Sequence, residues 1–194
     1  MLHARPFHRI AIALVVCALA IPTSLRADTR HHITLGLGYT KLLNDDLKDE
    51  ATGVDFTNAF SGQLGYRYSL NSSFDLCLES RGMISTDEYA GIDLTLTNTY
   101  FGPGLRWNAS GMGPRLFVQG NVMYVNEEIE LDGGGATLSQ SESGAGFGIF
   151  GGVDIPLSKL LSMPIEVHYL YAKPEDDVSG VGGNVGITFN WSAM

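Results

Sequence analysis

Gly144-Ala145-Gly146-Phe147-Gly148-Ile149-Phe150-Gly151-Gly152-Val153-Asp154-Ile155 is the stretch that decides the fold. Ala145, Phe147, Ile149, Val153 and Ile155 fall on one side of an extended strand, and Gly144, Gly146, Gly148, Gly152 and Asp154 on the other. The period is two, and one face is oily while the other is small or polar. The segment Gly146 to Gly151 also spells G-x-G-x-x-G. A dinucleotide fingerprint needs that spacing in a turn that opens a helix, whereas here it lies inside an alternating strand, where glycines make room for side chains arriving from other strands.

Working outward, seven more segments alternate in the same way. Ile33, Leu35, Leu37 and Tyr39 share a face in the first, and Phe60, Leu64, Tyr66 and Tyr68 oppose Ser61, Gln63 and Arg67 in the second. The third sets Phe74, Leu76 and Leu78 against Asp75, Cys77, Glu79 and Arg81; the fourth sets Phe101, Leu105 and Trp107 against Tyr100, Gly102, Gly104 and Arg106. Leu116, Val118, Val122 and Tyr124 oppose Gln119, Asn121 and Met123 in the fifth, and the glycine-rich run is the sixth. The seventh sets Ile165, Val167, Tyr169 and Tyr171 against Glu166 and His168; the eighth sets Val181, Val185, Ile187, Phe189 and Trp191 against Asn184, Thr188 and Asn190. Leu94 and Leu96 break parity with Phe101 and Leu105, and Pro103 interrupts the same strand, so a bulge between Thr97 and Gly104 is expected.

Alternation describes a soluble sandwich as well as a membrane barrel, and three features separate them. With strands alternating in direction, Tyr39, Phe60, Tyr124, Tyr169 and Tyr171 gather at one rim, and Tyr66, Tyr68, Phe74, Trp107, Phe189 and Trp191 at the other. Two such girdles are what interfacial anchoring predicts. The connections that fall at one end hold 16 of the 21 acidic residues, and those at the other end are shorter. The inward face carries Arg67, Asp75, Glu79, Arg81, Arg106, Asp154, Glu166 and His168, too much charge for a soluble core but natural for a barrel lumen. The expected fold is an all-β, eight-stranded, up-and-down antiparallel transmembrane β-barrel.

The start of the chain agrees with export. Basic residues precede an apolar run of 12 residues, Ile10 to Ile21, too short for the roughly 20 of a spanning helix. Residues 1–27 therefore read as a signal peptide, with Ala18-Leu19-Ala20 as a competing cleavage site, and residues 28–194 as one barrel domain. Beyond Ala27 the chain has 9 basic and 21 acidic residues, a net charge of −12, which disfavours nucleic acid as a partner. Cys77 is then the single cysteine, so no internal disulfide is expected.

Tyr100-Phe101-Gly102-Pro103-Gly104-Leu105-Arg106-Trp107 and the ending Val185-Gly186-Ile187-Thr188-Phe189-Asn190-Trp191, on eight alternating segments behind a cleavable leader, resemble the small outer-membrane β-barrels of the OmpA/OmpX type. The resemblance implies a Gram-negative outer-membrane location, contact with lipid and lipopolysaccharide, a C-terminal aromatic signal (Trp191, here followed by three residues) read by the barrel-assembly machinery, and a monomer. It implies no periplasmic peptidoglycan-binding domain, because the chain ends with the eighth strand.

For function, Arg67, Asp75, Glu79, Arg81, Arg106, Glu166 and His168 form a lumenal charge network, since unpaired ions in so narrow an interior are very costly. The expected role is structural or surface-interacting, with acidic extracellular loops; the alternative is a narrow channel for ions or small solutes. Glu166 and His168 invite an acid/base reading, but they point into the lumen, so no enzyme is expected. His31 and His32 are neighbours on extended chain and point apart, which favours solvent exposure over a metal pair. No acidic loop has calcium-site spacing, and no metal or cofactor is expected.

Overall fold

A computed structural model describes residues 30–44, 47–49, 52–109, 113–133, 136–174 and 177–192. The expected leader lies outside these residues, as do Asp45, Asp46, Glu50, Glu175 and Asp176 of the acidic connections.

Every alternating segment is a strand. The barrel is built from β1 (Arg30–Leu42), β4 (Asn58–Ser69), β5 (Phe74–Tyr89), β6 (Ile92–Asn108), β7 (Arg115–Gly133), β8 (Ala136–Pro156), β9 (Leu161–Lys173) and β10 (Val178–Ser192). Each pairs antiparallel with its sequence neighbour, and β1 closes the ring against β10 from Arg30↔Ser192 to Leu42↔Gly180. Closure leaves the wall without an edge where all eight strands overlap. A two-residue hairpin, β2 (Lys48–Asp49) and β3 (Val54–Asp55), sits between β1 and β4.

The two ends differ because their connections do. At the turn end, Asn71 Oδ1 accepts from the N–H groups of Ser73 (2.8 Å) and Phe74 (3.0 Å), and Ser158 Oγ accepts from those of Leu160 and Leu161, so side chains satisfy backbone donors in tight turns. At the hairpin end the strands run on. β5 and β6 turn through Ala90 and Gly91, both at positive φ (52° and 78°). Asp87, Glu88, Asp93, Glu127, Glu128, Glu130, Asp132 and Glu142, expected in loops, are strand residues of β5 to β8. Their polar alternation lacks the oily face that marks a strand in sequence.

The expected bulge is absent. β6 keeps one register with β5 from Phe74↔Trp107 to Tyr89↔Ile92. Against β7 only Gly102 and Pro103 drop out of the ladder, because proline has no N–H to give. A Cβ on Gly102 would sit 2.0 Å from the carbonyl oxygen of Val122, so only glycine fits there. Leu96 and Tyr100 keep inward parity and are buried, because the hairpin half of the interior is itself apolar.

Outward positions between the aromatic rows carry residues such as Leu35, Leu64, Leu78, Val122, Ile149, Val167 and Val185, all exposed. Among the described residues no ionisable side chain lies in this band. A wall that presents oil outward and charge inward belongs in lipid.

Candidate functional site: an ion-paired plate inside the barrel

All seven residues expected in the lumenal network are buried inside the barrel. The structure groups them into two tiers. Nearer the hairpin end, Arg81 on β5 is fully buried and uses its planar fork on several partners at once. It donates to Glu79 Oε1 at 2.8 Å, to Glu166 Oε1 at 2.6 Å, to Gln63 Oε1 at 3.1 Å and to His168 Nδ1 at 3.0 Å. Asn184 satisfies its surroundings when its oxygen faces Arg81 Nη1 (2.7 Å) and its nitrogen faces Ser61 Oγ (2.9 Å). The other oxygen of Glu79 accepts from Gln119 at 2.7 Å. The ring of Phe150 lies 4.9 Å beneath the guanidinium.

Nearer the turn end, Asp154 takes Arg67 at 3.3 Å and Arg106 in a short ion pair. Asp75 lies 3.9 Å from Arg67 and accepts from Ser69 (2.7 Å) and Asn108 (2.9 Å). Arg106 stacks 3.5 Å from the ring centre of Phe117. Three arginines thus face four carboxylates.

The ring order β1-β10-β9-β8-β7-β6-β5-β4 gives the arrangement its meaning. Arg81 on β5 meets Glu166 on β9, and Arg67 on β4 meets Asp154 on β8; each pair joins strands on opposite sides of the barrel. These contacts cross the lumen. The cavity left among Thr34, Gln63, Arg67, Cys77, Glu79, Arg106, Gln119 and Glu166 measures about 20 Å³, room for roughly one water.

Above the plate, Leu42, Ala59, Met83, Leu96, Tyr100, Met123, Val125, Leu170, Ala172 and Val178 form a buried apolar layer, onto which Leu47 and Phe56 pack from either side of the β2–β3 hairpin. This layer was not anticipated from sequence; Leu94, Leu96 and Met123 on the inward parity were its signal. Gln63, Gln119, Asn184, Thr40 and Phe150 also belong to the interior. Gly148 makes room for Phe150, since a Cβ there would lie 2.5 Å from the ring, which accounts for one glycine of the G-x-G-x-x-G run.

The His168 geometry bears on catalysis. Nδ1 accepts from Arg81, so Nε2 carries the proton and donates to Thr40 Oγ1 at 2.9 Å. A histidine that donates to a hydroxyl cannot take its proton, so Thr40-His168-Glu166 is not an activated nucleophile.

The girdle residues stand on the outer face. Phe60 is the register partner of Tyr39, and Phe101 that of Tyr124; Phe147 packs 5.3 Å from Tyr171. At the turn end His31 stacks on Trp191 at 5.5 Å and meets Tyr68 at 5.4 Å, while Nδ1 bonds the Tyr66 hydroxyl at 2.7 Å. His32 points inward to Asn190 (2.6 Å) and Ser69 (3.0 Å). The pair does point apart, but each ring is half-buried and partnered rather than exposed to solvent, because the girdle and the lumen floor both extend to this level. Among the described residues no cluster of three potential metal ligands occurs.

Comparison with solved structures finds the same architecture. Ail of Yersinia pestis, crystallised with the heparin analogue sucrose octasulfate, aligns with a TM-score of 0.61 at 16% identity, covering 84% of this chain and 99% of that one. Neisserial surface protein A aligns at 0.59 and 13% identity, covering 82% and 96%. OprG of Pseudomonas aeruginosa aligns at 0.54 and 12%, covering 85% and 97%. No curated protein matches the sequence. The family model described as the outer membrane protein beta-barrel domain matches residues 11–191, so the chain belongs to that family and is a bacterial outer-membrane β-barrel.

Proposed function

We propose that this chain is a sealed outer-membrane barrel with a structural and surface-interaction role, not a pore and not an enzyme. The observation that carries the reading is the pair of ion contacts, Arg81–Glu166 and Arg67–Asp154, drawn across the lumen between opposed strands. The apolar layer above and a cavity of about 20 Å³ among the ion-paired residues, room for roughly one water, support a lumen closed to hydrated solutes. An eight-stranded interior is usually just filled by side chains. The direction of the His168 hydrogen bonds supports the absence of catalysis.

On this reading the aromatic rows seat the wall in lipid and lipopolysaccharide, Trp191 carries the signal for the assembly machinery, and the monomer is the working unit. The extended β5–β8 strands are then the part that meets the cell's surroundings. Ail was crystallised with a sulfated ligand. Residues 84–98 and 126–143 here hold no lysine or arginine, so polyanion binding does not carry over to this surface.

Single-channel recording in planar bilayers tests the proposal. The expected result is no steady conductance from the parent protein and a leak from Arg81→Ala. Steady unitary conductance in the parent, changed by Arg106→Ala, would establish the channel instead.

A further inference from the structure

The turn-end aromatic row contains an imidazole among its tyrosines and tryptophans. The ring of His31 lies 5.5 Å from that of Trp191 and within 16° of parallel to it, 5.4 Å from Tyr68 and 6.1 Å from Tyr66. Three neighbouring rings fix its orientation. Nδ1 meets the Tyr66 hydroxyl at 2.7 Å; with that hydroxyl donating, the proton of a neutral imidazole sits on Nε2. Among the described residues no hydrogen bond engages His31 Nε2, Trp191 Nε1 or the Tyr68 hydroxyl. Three donors on one patch of the outer wall are open to whatever lies against it.

Charge converges on the same patch. The connection between β8 and β9 runs beside the end of β10: the N–H of Asn190 donates to Leu160 O at 2.8 Å, one step beyond the register pair Phe189↔Leu161. Lys159 therefore stands about one strand spacing, ~5 Å, from β10 at the level of Trp191 and about 10 Å from β1, within the reach of a lysine side chain. It is exposed and, among the described residues, makes no ion pair. The described turn residues at this end include no carboxylate; Asp75 and Asp154 are turned into the lumen toward Arg67 and Arg106. An anion at this patch meets attraction and no opposing charge.

Toward mid-wall the surface next to these donors is apolar. Ile33↔Phe189 and Leu35↔Ile187 are register partners, and all four side chains are exposed. Leu160 beside Lys159 is 63% exposed. The short turns of such a barrel lie on the periplasmic side. The order from rim to mid-wall, polar donors and a cation followed by two apolar columns, is that of a phospholipid standing in the periplasmic leaflet with its phosphate at the interface. A free phosphate leaves the columns unused, and a headgroup of net positive charge is repelled by Lys159.

We infer that this patch binds one anionic glycerophospholipid of the periplasmic leaflet. His31 Nε2, Trp191 Nε1 and Lys159 donate to the phosphodiester, and the acyl chains lie along the Ile33–Leu35 and Phe189–Ile187 columns. The inference deepens the lipid seating proposed above, from a belt that any lipid satisfies to a site that selects headgroup charge, and rests on it.

The test uses the full chain in phosphatidylcholine nanodiscs doped with chain-brominated phosphatidylglycerol or chain-brominated phosphatidylcholine, which quench tryptophan on contact. Trp107→Phe leaves Trp191 as the reporter at the patch; Trp191→Phe leaves Trp107, on β6, three strands from β1 around the ring. Brominated phosphatidylglycerol should half-quench Trp191 at a mole fraction about fivefold lower than brominated phosphatidylcholine, the worth of one lysine at an anionic lipid surface, and Trp107 should show no such preference. In the Trp191 reporter, Lys159→Gln removes most of the preference, and His31→Phe, which keeps a ring against Trp191, reduces it. Arg115→Gln, on β7 across the ring, leaves it unchanged. Equal quenching of Trp191 by the two lipids, an equal preference at Trp107, a loss in Arg115→Gln as large as in Lys159→Gln, or displacement of the lipid by millimolar inorganic phosphate overturns the site. Failure of either brominated lipid to quench Trp191 at all refutes the lipid seating as well, and conductance, read separately, bears on the sealed lumen alone.

Discussion

Arg81→Met is the sharpest test of the plate. The substitution keeps much of the side-chain length but removes the cation that Glu79 and Glu166 share at 2.8 and 2.6 Å, in a site with no solvent exposure. Breaking a buried pair by removing one partner costs about 3–5 kcal/mol, because the stranded carboxylates keep their desolvation penalty. With a urea slope of about 1–3 kcal/mol per molar, the unfolding midpoint in detergent should fall by at least about 1 M, read from gel migration and from Trp107 and Trp191 fluorescence. The triple variant Glu79→Gln/Arg81→Met/Glu166→Gln removes the stranded charges, and such replacements are often neutral, so it should recover most of the loss. Arg81→Ala should also leak cations in preference to anions, since two arginines then face four carboxylates. A single-variant loss under about 1 kcal/mol, or a triple variant no better than the single one, would refute the claim that Arg81 holds the lumen shut.

Val167→Arg, at a lipid-facing position 67% exposed in the apolar band, should destabilise the barrel by about 2–4 kcal/mol in bilayer refolding titrations. Gly102→Ala should lower refolding yield, because its Cβ meets Val122 O at 2.0 Å, whereas Gly82→Ala, with nothing within 4 Å, should refold like the parent. The side-chain hydroxyl and then the backbone N–H of Thr57 hold the Asp55 carboxyl below its ordinary range. A depressed pKa stabilises above the unfolded value and is lost as pH falls through the folded one. Hydrogen-exchange protection at the β2–β3 hairpin, taken relative to the intrinsic rate that itself slows in acid, should therefore fall below about pH 4. Asp55→Asn should abolish that step.

What the sequence disclosed and what it hid follow from the range of each interaction. Parity is local, so every inward charge, from Arg67 to His168, was assigned to its face from two-residue spacing alone. Partnership is not local. Arg81 and Glu166 are 85 residues apart and meet only because the closed ring sets β5 across from β9, a fact that needs the register of every strand between them. The tops of β7 and β8 were hidden for a different reason. Where a wall rises out of lipid both faces turn polar, and the alternation that identifies a strand disappears just where Glu127, Glu128 and Glu130 begin.

Leu94 and Leu96 show how a sound observation can be given the wrong cause. A bulge follows only if both must share the lipid-facing side of Phe101 and Leu105 and if Pro103 must shift the strand's register, and neither condition holds. The interior is instead layered: ion pairs toward the turn end, and Leu96, Met83, Leu170 and Val178 toward the hairpin end, covered by Leu47 and Phe56. The layering has a physical basis. A charged plate alone would be hydrated from the open hairpin end, and water reaching Arg81 and Glu166 would weaken their attraction as the local dielectric rises. The apolar layer keeps that water out, so the seal depends on both. Phe56→Asp, which places a charge against the layer, should therefore open a leak that the parent lacks even though it touches no member of the ion network. A bilayer recording as silent as the parent's would show that the plate seals the barrel unaided.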